Sequence, residues 1–168
     1  MQIRHKAPFS RGYTPLSERR TQTADMLMDF GVIRLFPGDV YESDSPVDER
    51  VFLLSHGNAR ISWNGEEREI SRPNLFDYSP WCLSVPAKCP VSIRVGNEGA
   101  EFYYCATDNP KDITARLFSP EECKSELRGK GTMRETSTRI VRTIFDDSNR
   151  PESNLVIGEV IGVPGKWS

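Results

Sequence analysis

Between Met26 and Ala106 the chain is cut into short apolar runs by Gly, Pro and Asn, and that punctuation points to an all-β fold. Residues 29–36 make a strand candidate ended by Pro37-Gly38-Asp39, and residues 40–43 a shorter one. Residues 49–55 are mostly apolar, and Gly57-Asn58 reads as a turn after them. Residues 59–63 alternate and residues 66–70 return. Between them Asn64-Gly65 is a two-residue hairpin signal, because a type I′ turn needs positive φ at both positions. Pro73 and Pro80 bracket a loop. Residues 83–85, 91–95 and 101–106 are further strands, the last two joined by a turn at Gly96-Asn97-Glu98-Gly99. Short strands at this spacing belong to a sandwich or barrel. Phe30, Val32, Leu35, Val51, Leu53, Ile61, Trp63, Val91, Ile93 and Phe102 are its expected core.

Outside that block the pattern loosens. Residues 1–25 are polar, carry Pro8, Gly12 and Pro15, and read as an arm that drapes over the body or pairs at an edge. In the irregular stretch 107–136, Ser119-Pro120-Glu121-Glu122 has the form of a helix start, and Gly129-Lys130-Gly131 breaks it. Residues 138–145 and 155–163 are strands again, separated by polar residues 146–153. The last runs into Pro164-Gly165, and a strand delivered into a turn expects a partner beyond it. The expected organisation is an arm (1–25), a degenerate barrel (26–136), and strands (137–168) that lead towards a second domain.

Composition narrows the partners. At 168 residues one domain is expected, and a net charge of −2 without a basic block argues against nucleic acid or an anionic membrane. No apolar run approaches the roughly 20 residues of a membrane span. The opening Met1-Gln2-Ile3-Arg4-His5-Lys6 lacks the apolar stretch of a signal peptide, so the cytoplasm is the expected compartment. Cys82, Cys89, Cys105 and Cys123 form no Cys-x-x-Cys pair and read as buried small apolar residues. Trp63, Tyr78, Trp81, Tyr103 and Tyr104 either line a sugar-sized cavity or fill a core.

Pro37-Gly38, Glu49, Gly57 and the Asn64-Gly65 hairpin resemble the first half of a cupin. Metal-binding cupins place two histidines and a glutamate between the first and second glycines, and a third histidine after a later Pro-x-Gly turn. Strand alternation then brings those ligands to one depth inside the barrel. Here Tyr41, Glu42, Ser43 and Asp44 stand between Gly38 and Glu49, and Val85-Pro86-Ala87-Lys88 runs into Cys89, Pro90, Val91 and Ser92, with no histidine in either place. His5 falls in the arm and His56 at a strand end, and neither is expected to be a ligand. Glu42, Asp44 and Glu49 remain as a candidate oxygen-only metal site, with solvated acids as the alternative.

The closing run Gly158-Glu159-Val160-Ile161-Gly162-Val163-Pro164-Gly165-Lys166-Trp167-Ser168 resembles a segment of the 5-deoxyglucuronate isomerase family, two-cupin enzymes of inositol breakdown. In that family a Tyr-Pro-Pro-His-x-His element follows at once and begins the second cupin's metal site. Thr138-Arg139-x-Val141, Pro120-Glu121-Glu122 and Leu127-Arg128-Gly129 are similar to family segments too. The resemblance implies the N-terminal, metal-free cupin of an aldose–ketose isomerase acting on a small sugar acid. It places the divalent metal in a C-terminal cupin, assigns no cofactor to this chain, and makes the chain alone inactive. A second cupin domain or a second copy of the chain would be its partner. Arg139 is the polar candidate for reaching a shared site, because an arginine fork can hold a carboxylate; a surface arginine on an alternating strand is the other reading. A non-catalytic cupin that binds a sugar acid or scaffolds a partner domain is the alternative function.

Overall fold

Two long strands, β4 (Asp48–Trp63) and β7 (Val91–Asp108), organise the molecule in the computed structural model, which describes residues 8–166. They pair antiparallel from Asp48↔Asp108 to Trp63↔Val91. The sequence predicts turns at 57–58 and 96–99; the structure instead carries both strands through. Register shifts at Leu54/His56 and Gly57/Ala59 absorb the extra residues as bulges. Gly57 has φ +99°, and a Cβ there would lie 2.4 Å from the Gly99 carbonyl oxygen. A turn residue is needed at such a bend, which is why a bulge and a turn look alike in sequence.

The bend lets each long strand serve both layers of one eight-stranded sheet. The first part of β4 and the last part of β7 lie with β2 (Asp29–Leu35) and β6 (Cys82–Val85); β1 (Gly12–Ser17) extends this layer beyond β2, and β8 (Arg116–Phe118) extends it beyond β6. The remaining halves lie with β3 (Val40–Ser43) and β5 (Glu66–Arg72). This is a jelly-roll, in keeping with the all-β, cupin-like sandwich or barrel that the sequence predicts. The hairpin at Asn64-Gly65 forms with φ of 45° and 82°, joining Trp63 to Glu66. The polar arm does pair at an edge, through β1 against β2.

Alternation sorts the side chains into two cores. Ile33, Phe52, Leu54, Ile61, Leu83, Ile93 and Phe102 fill the space between the layers. Val51, Leu53, Cys82 and Cys105 point the other way and meet Phe118, Ile144, Phe145, Leu155 and Ile157. That second core seats a three-stranded sheet of β11 (Ile157–Gly162), β10 (Arg139–Phe145) and β9 (Lys124–Arg128). Nine of the ten expected core residues are buried; Phe30 is partly so and packs on the second core.

The stretch 107–136 holds two strands that the sequence does not announce. β8 is three residues long, and all five residues of β9 are exposed, so neither shows an apolar alternation. The helix start at Ser119 yields a single 3-10 turn, Pro120–Glu122, capped by Glu122 accepting from the Ser119 amide at 2.8 Å. Pairing of β9 with β10 takes over immediately after it. Among the described residues no helix is long and apolar enough to cross a membrane.

Arg19 pins the arm to the body. Its guanidinium reaches Asp48 at 2.7 Å, Asp29 at 3.1 Å and Asp108 at 2.7 Å. Burial pushes the Asp48 carboxyl up, but hydrogen bonds from Arg19 and Ser45 outweigh it and hold the group below its usual range. Asp48 therefore binds a proton more readily in the unfolded chain than in the folded one. Its contribution to stability is complete above the unfolded value of about 4 and is lost as pH falls through the lower folded value. Urea unfolding at stepped pH should show that loss in the parent and a shallower one in Arg19→Ala. Equal acid slopes in the two would contradict the assignment.

Candidate functional site

Glu49 and Arg50 are neighbours on β4, so their side chains leave on opposite faces. Glu49 shares the face of Val51 and Leu53, and Arg50 that of Phe52 and Leu54. The residue inside the jelly-roll is thus a cation. Arg50 is completely buried, and donates to Ser43 Oγ at 3.0 Å, the Pro86 carbonyl at 3.3 Å and the Cys89 carbonyl at 2.5 Å. The Pro86–Cys89 turn comes close enough because Lys88 takes φ 61° and donates its amide to the Ser45 carbonyl at 2.6 Å.

Three tyrosines share this interior. Tyr13 and Tyr104 meet edge to face, with ring centroids 5.3 Å apart, and Phe52 lies 5.4 Å from Tyr104. Gly31 permits that contact: it pairs with Tyr104, and a Cβ on it would strike the Tyr13 ring at 2.5 Å. Tyr41 packs against the same core. Burial raises all three phenols above the usual tyrosine value, while the Arg50 charge pulls Tyr41 and Tyr104 back. They are neutral hydroxyls at any physiological pH.

The acids singled out by sequence do not converge. Glu42 is exposed and accepts from Ser92 Oγ at 2.7 Å, and Asp44 is exposed beside it. Glu49 lies on the other face, where Asn109 Nδ2 donates at 2.8 Å, the Asn154 amide at 3.0 Å, and Ser153 Oγ more closely still. Among the described residues no group of three His, Cys, Asp or Glu is arranged to hold a metal. A cupin frame implies a divalent cation. The donors converging here are a guanidinium, a hydroxyl and two backbone carbonyls, and that set does not fit one.

The other candidates scatter. His56 is exposed at the β4 bulge, 3.5 Å from Ser55 Oγ, and His5 lies outside the described residues. Arg139, half-exposed on β10, donates to the Ser137 carbonyl at 3.0 Å. It belongs to the outer sheet, across the main sheet from Arg50. Cys82, Cys89 and Cys105 are buried, as the sequence predicts, and Cys123 partly so. Burial pushes the Cys105 thiol up to about 12. Trp63 is core, Trp81 packs at its margin, Tyr103 faces the second core, and Tyr78 is exposed. Arg50 escapes a search for metal ligands, but strand parity finds it: counting back by twos from Leu54 and Phe52 lands on it.

A family model described as the KduI/IolB family matches residues 2–168. Among solved structures, an IolB-like protein from Salmonella typhimurium LT2 is similar at a TM-score of 0.75 and 22% identity, over 89% of this chain and 56% of that one. A cupin 2 conserved barrel domain protein from Salinispora arenicola CNS-205 is similar at a TM-score of 0.50 and 13% identity, over 64% of this chain and 89% of that one. No curated protein matches. The chain thus spans little more than half the length of the IolB-like protein, and at these identities the likeness is one of fold.

Proposed function

Because the chain belongs to the KduI/IolB family, we propose that it is the metal-free, N-terminal cupin domain of a sugar-acid isomerase of the 5-deoxyglucuronate type. One observation supports this reading above the others. The jelly-roll interior holds Arg50, fully buried and bonded to neutral oxygens, and no group of three metal-ligating side chains among the described residues. Aldose–ketose isomerisation moves a proton between neighbouring carbons and builds negative charge on the carbonyl oxygen. A divalent metal in a second cupin would supply the electrophile that this charge requires. The present chain contributes the frame and the outer three-stranded sheet. Inositol breakdown in the cytoplasm is the setting proposed for it, with a second cupin domain or a second copy of the chain as partner.

The purified chain should give no turnover of 5-deoxyglucuronate, with or without added divalent metal, while a form extended by the His-x-His cupin should be active. Turnover by residues 1–168 that survives chelation would overturn the reading. An inactive extended form would favour the alternative, a binding module without catalysis.

A further inference from the structure

The outer sheet leaves part of the face beneath it open. β11 packs on Val51, Leu53 and Cys105 through Ile157, and β10 pairs with only one of its edges. Among the described residues the other edge of β11 has no partner strand. A cleft of about 380 Å³ lies between β11 and the face that β2 and β7 turn towards it.

The lining of this cleft is apolar and partly flat. Phe30 and Tyr103 stack with ring centroids 6.2 Å apart and planes at 22°, so that they form one aromatic wall. Met28, Leu75 and Ile161 complete the apolar surface, and each is only partly buried, so a solute can reach it. The single charged side chain in the lining, Glu159, is spent on Arg72 and Arg142. The Tyr103 hydroxyl has no hydrogen-bond partner among the described residues. Gly158 lines the cleft with backbone alone, on the strand whose edge is unpaired.

Size and charge together select the occupant. The volume falls within the roughly 300–1,000 Å³ of small-molecule sites. An ion entering it would lose water and meet no free counter-charge, which is unfavourable, whereas a neutral ring loses nothing of the kind. A flat molecule gains most from a stacked aromatic wall. We propose that this cleft binds a small neutral aromatic molecule, its ring against Phe30 and Tyr103 and its N–H or O–H donated to a backbone carbonyl on the free edge of β11. The site goes beyond the isomerase reading and does not rest on it, since it lies across the main sheet from the jelly-roll interior.

The test adds indole to the 168-residue chain carrying ¹³C-labelled methyl groups. The methyl signals of Met28 and Ile161 should shift saturably, and those of Ile33 and Ile93 in the inner core should stay in place. Indole-3-acetate, the same ring with a carboxylate, should bind more weakly by about tenfold or more. Phe30→Leu keeps the wall apolar but removes a flat face, and should weaken indole by about three- to tenfold, the worth of an aromatic pair. Ile161→Trp, at a partly exposed position, should fill the cleft from the protein's own side and abolish binding while the urea midpoint holds. No saturable shift with indole, equal binding of indole-3-acetate, or unchanged binding in Ile161→Trp would overturn the proposal and leave the isomerase reading standing.

Discussion

Glu159→Ala is expected to destabilise the chain by about 3–5 kcal/mol, the cost of breaking a buried ion pair from one side. Glu159 sits on β11 and accepts from both Nη atoms of Arg72, each at 2.8 Å, with Arg142 at 3.5 Å. Arg72 is completely buried and also donates to the carbonyls of Leu54, Leu75 and Tyr78. Arg142 gathers the carbonyls of Leu75, Phe76 and Tyr78. The cluster therefore ties the main sheet, the loop 73–81 and the outer sheet together. Without Glu159 two guanidinium groups would remain buried with neutral partners. Urea unfolding should show the midpoint falling with little change in slope. A loss below about 1 kcal/mol would mean that the pair is worth no more than a surface ion pair.

Phe102→Ala should cost a similar amount, about 3–5 kcal/mol, for a different reason. Phe102 is completely buried between the two layers, on β7 opposite Leu54. Removing the ring deletes its transfer energy and leaves a cavity that two long bonded strands cannot close. Phe76→Ala, at a site 63% exposed, is the matched control and should stay within about 0.5 kcal/mol of the parent. Equal costs at the two sites would contradict the assignment of the core.

The fold is legible in the sequence wherever local chemistry decides it. Asn64-Gly65 dictates its own turn, and the alternation of Ile61, Trp63, Val91 and Ile93 marks the inner face. Gly57 is different, because a glycine that bends a continuing strand and one that reverses it satisfy the same local demand; which occurs depends on Gly99 and Ala100, distant in sequence. β9 stayed hidden because hydrogen bonds to β10, not burial, make it a strand. The candidate site was less legible for a related reason. A one-residue step along β4 exchanges the two faces. Reading Glu49 as the inward acid follows from residue type, whereas Arg50 follows from parity with the apolar residues after it. Once the face is known, Glu49 becomes an anchor for Asn109, Ser153 and Asn154, and the interior belongs to a cation.

That reversal of charge is the centre of the account, and metal content tests it directly. The purified chain, dialysed against a chelator and then against metal-free buffer, should hold far less than one equivalent of zinc, manganese or iron by elemental analysis. Offering each metal back should not change this, since the guanidinium of Arg50 sits among the interior donors. One equivalent of any of them, retained per chain after dialysis, would contradict the account and return Glu42, Asp44, Glu49 and Cys89 to consideration as ligands.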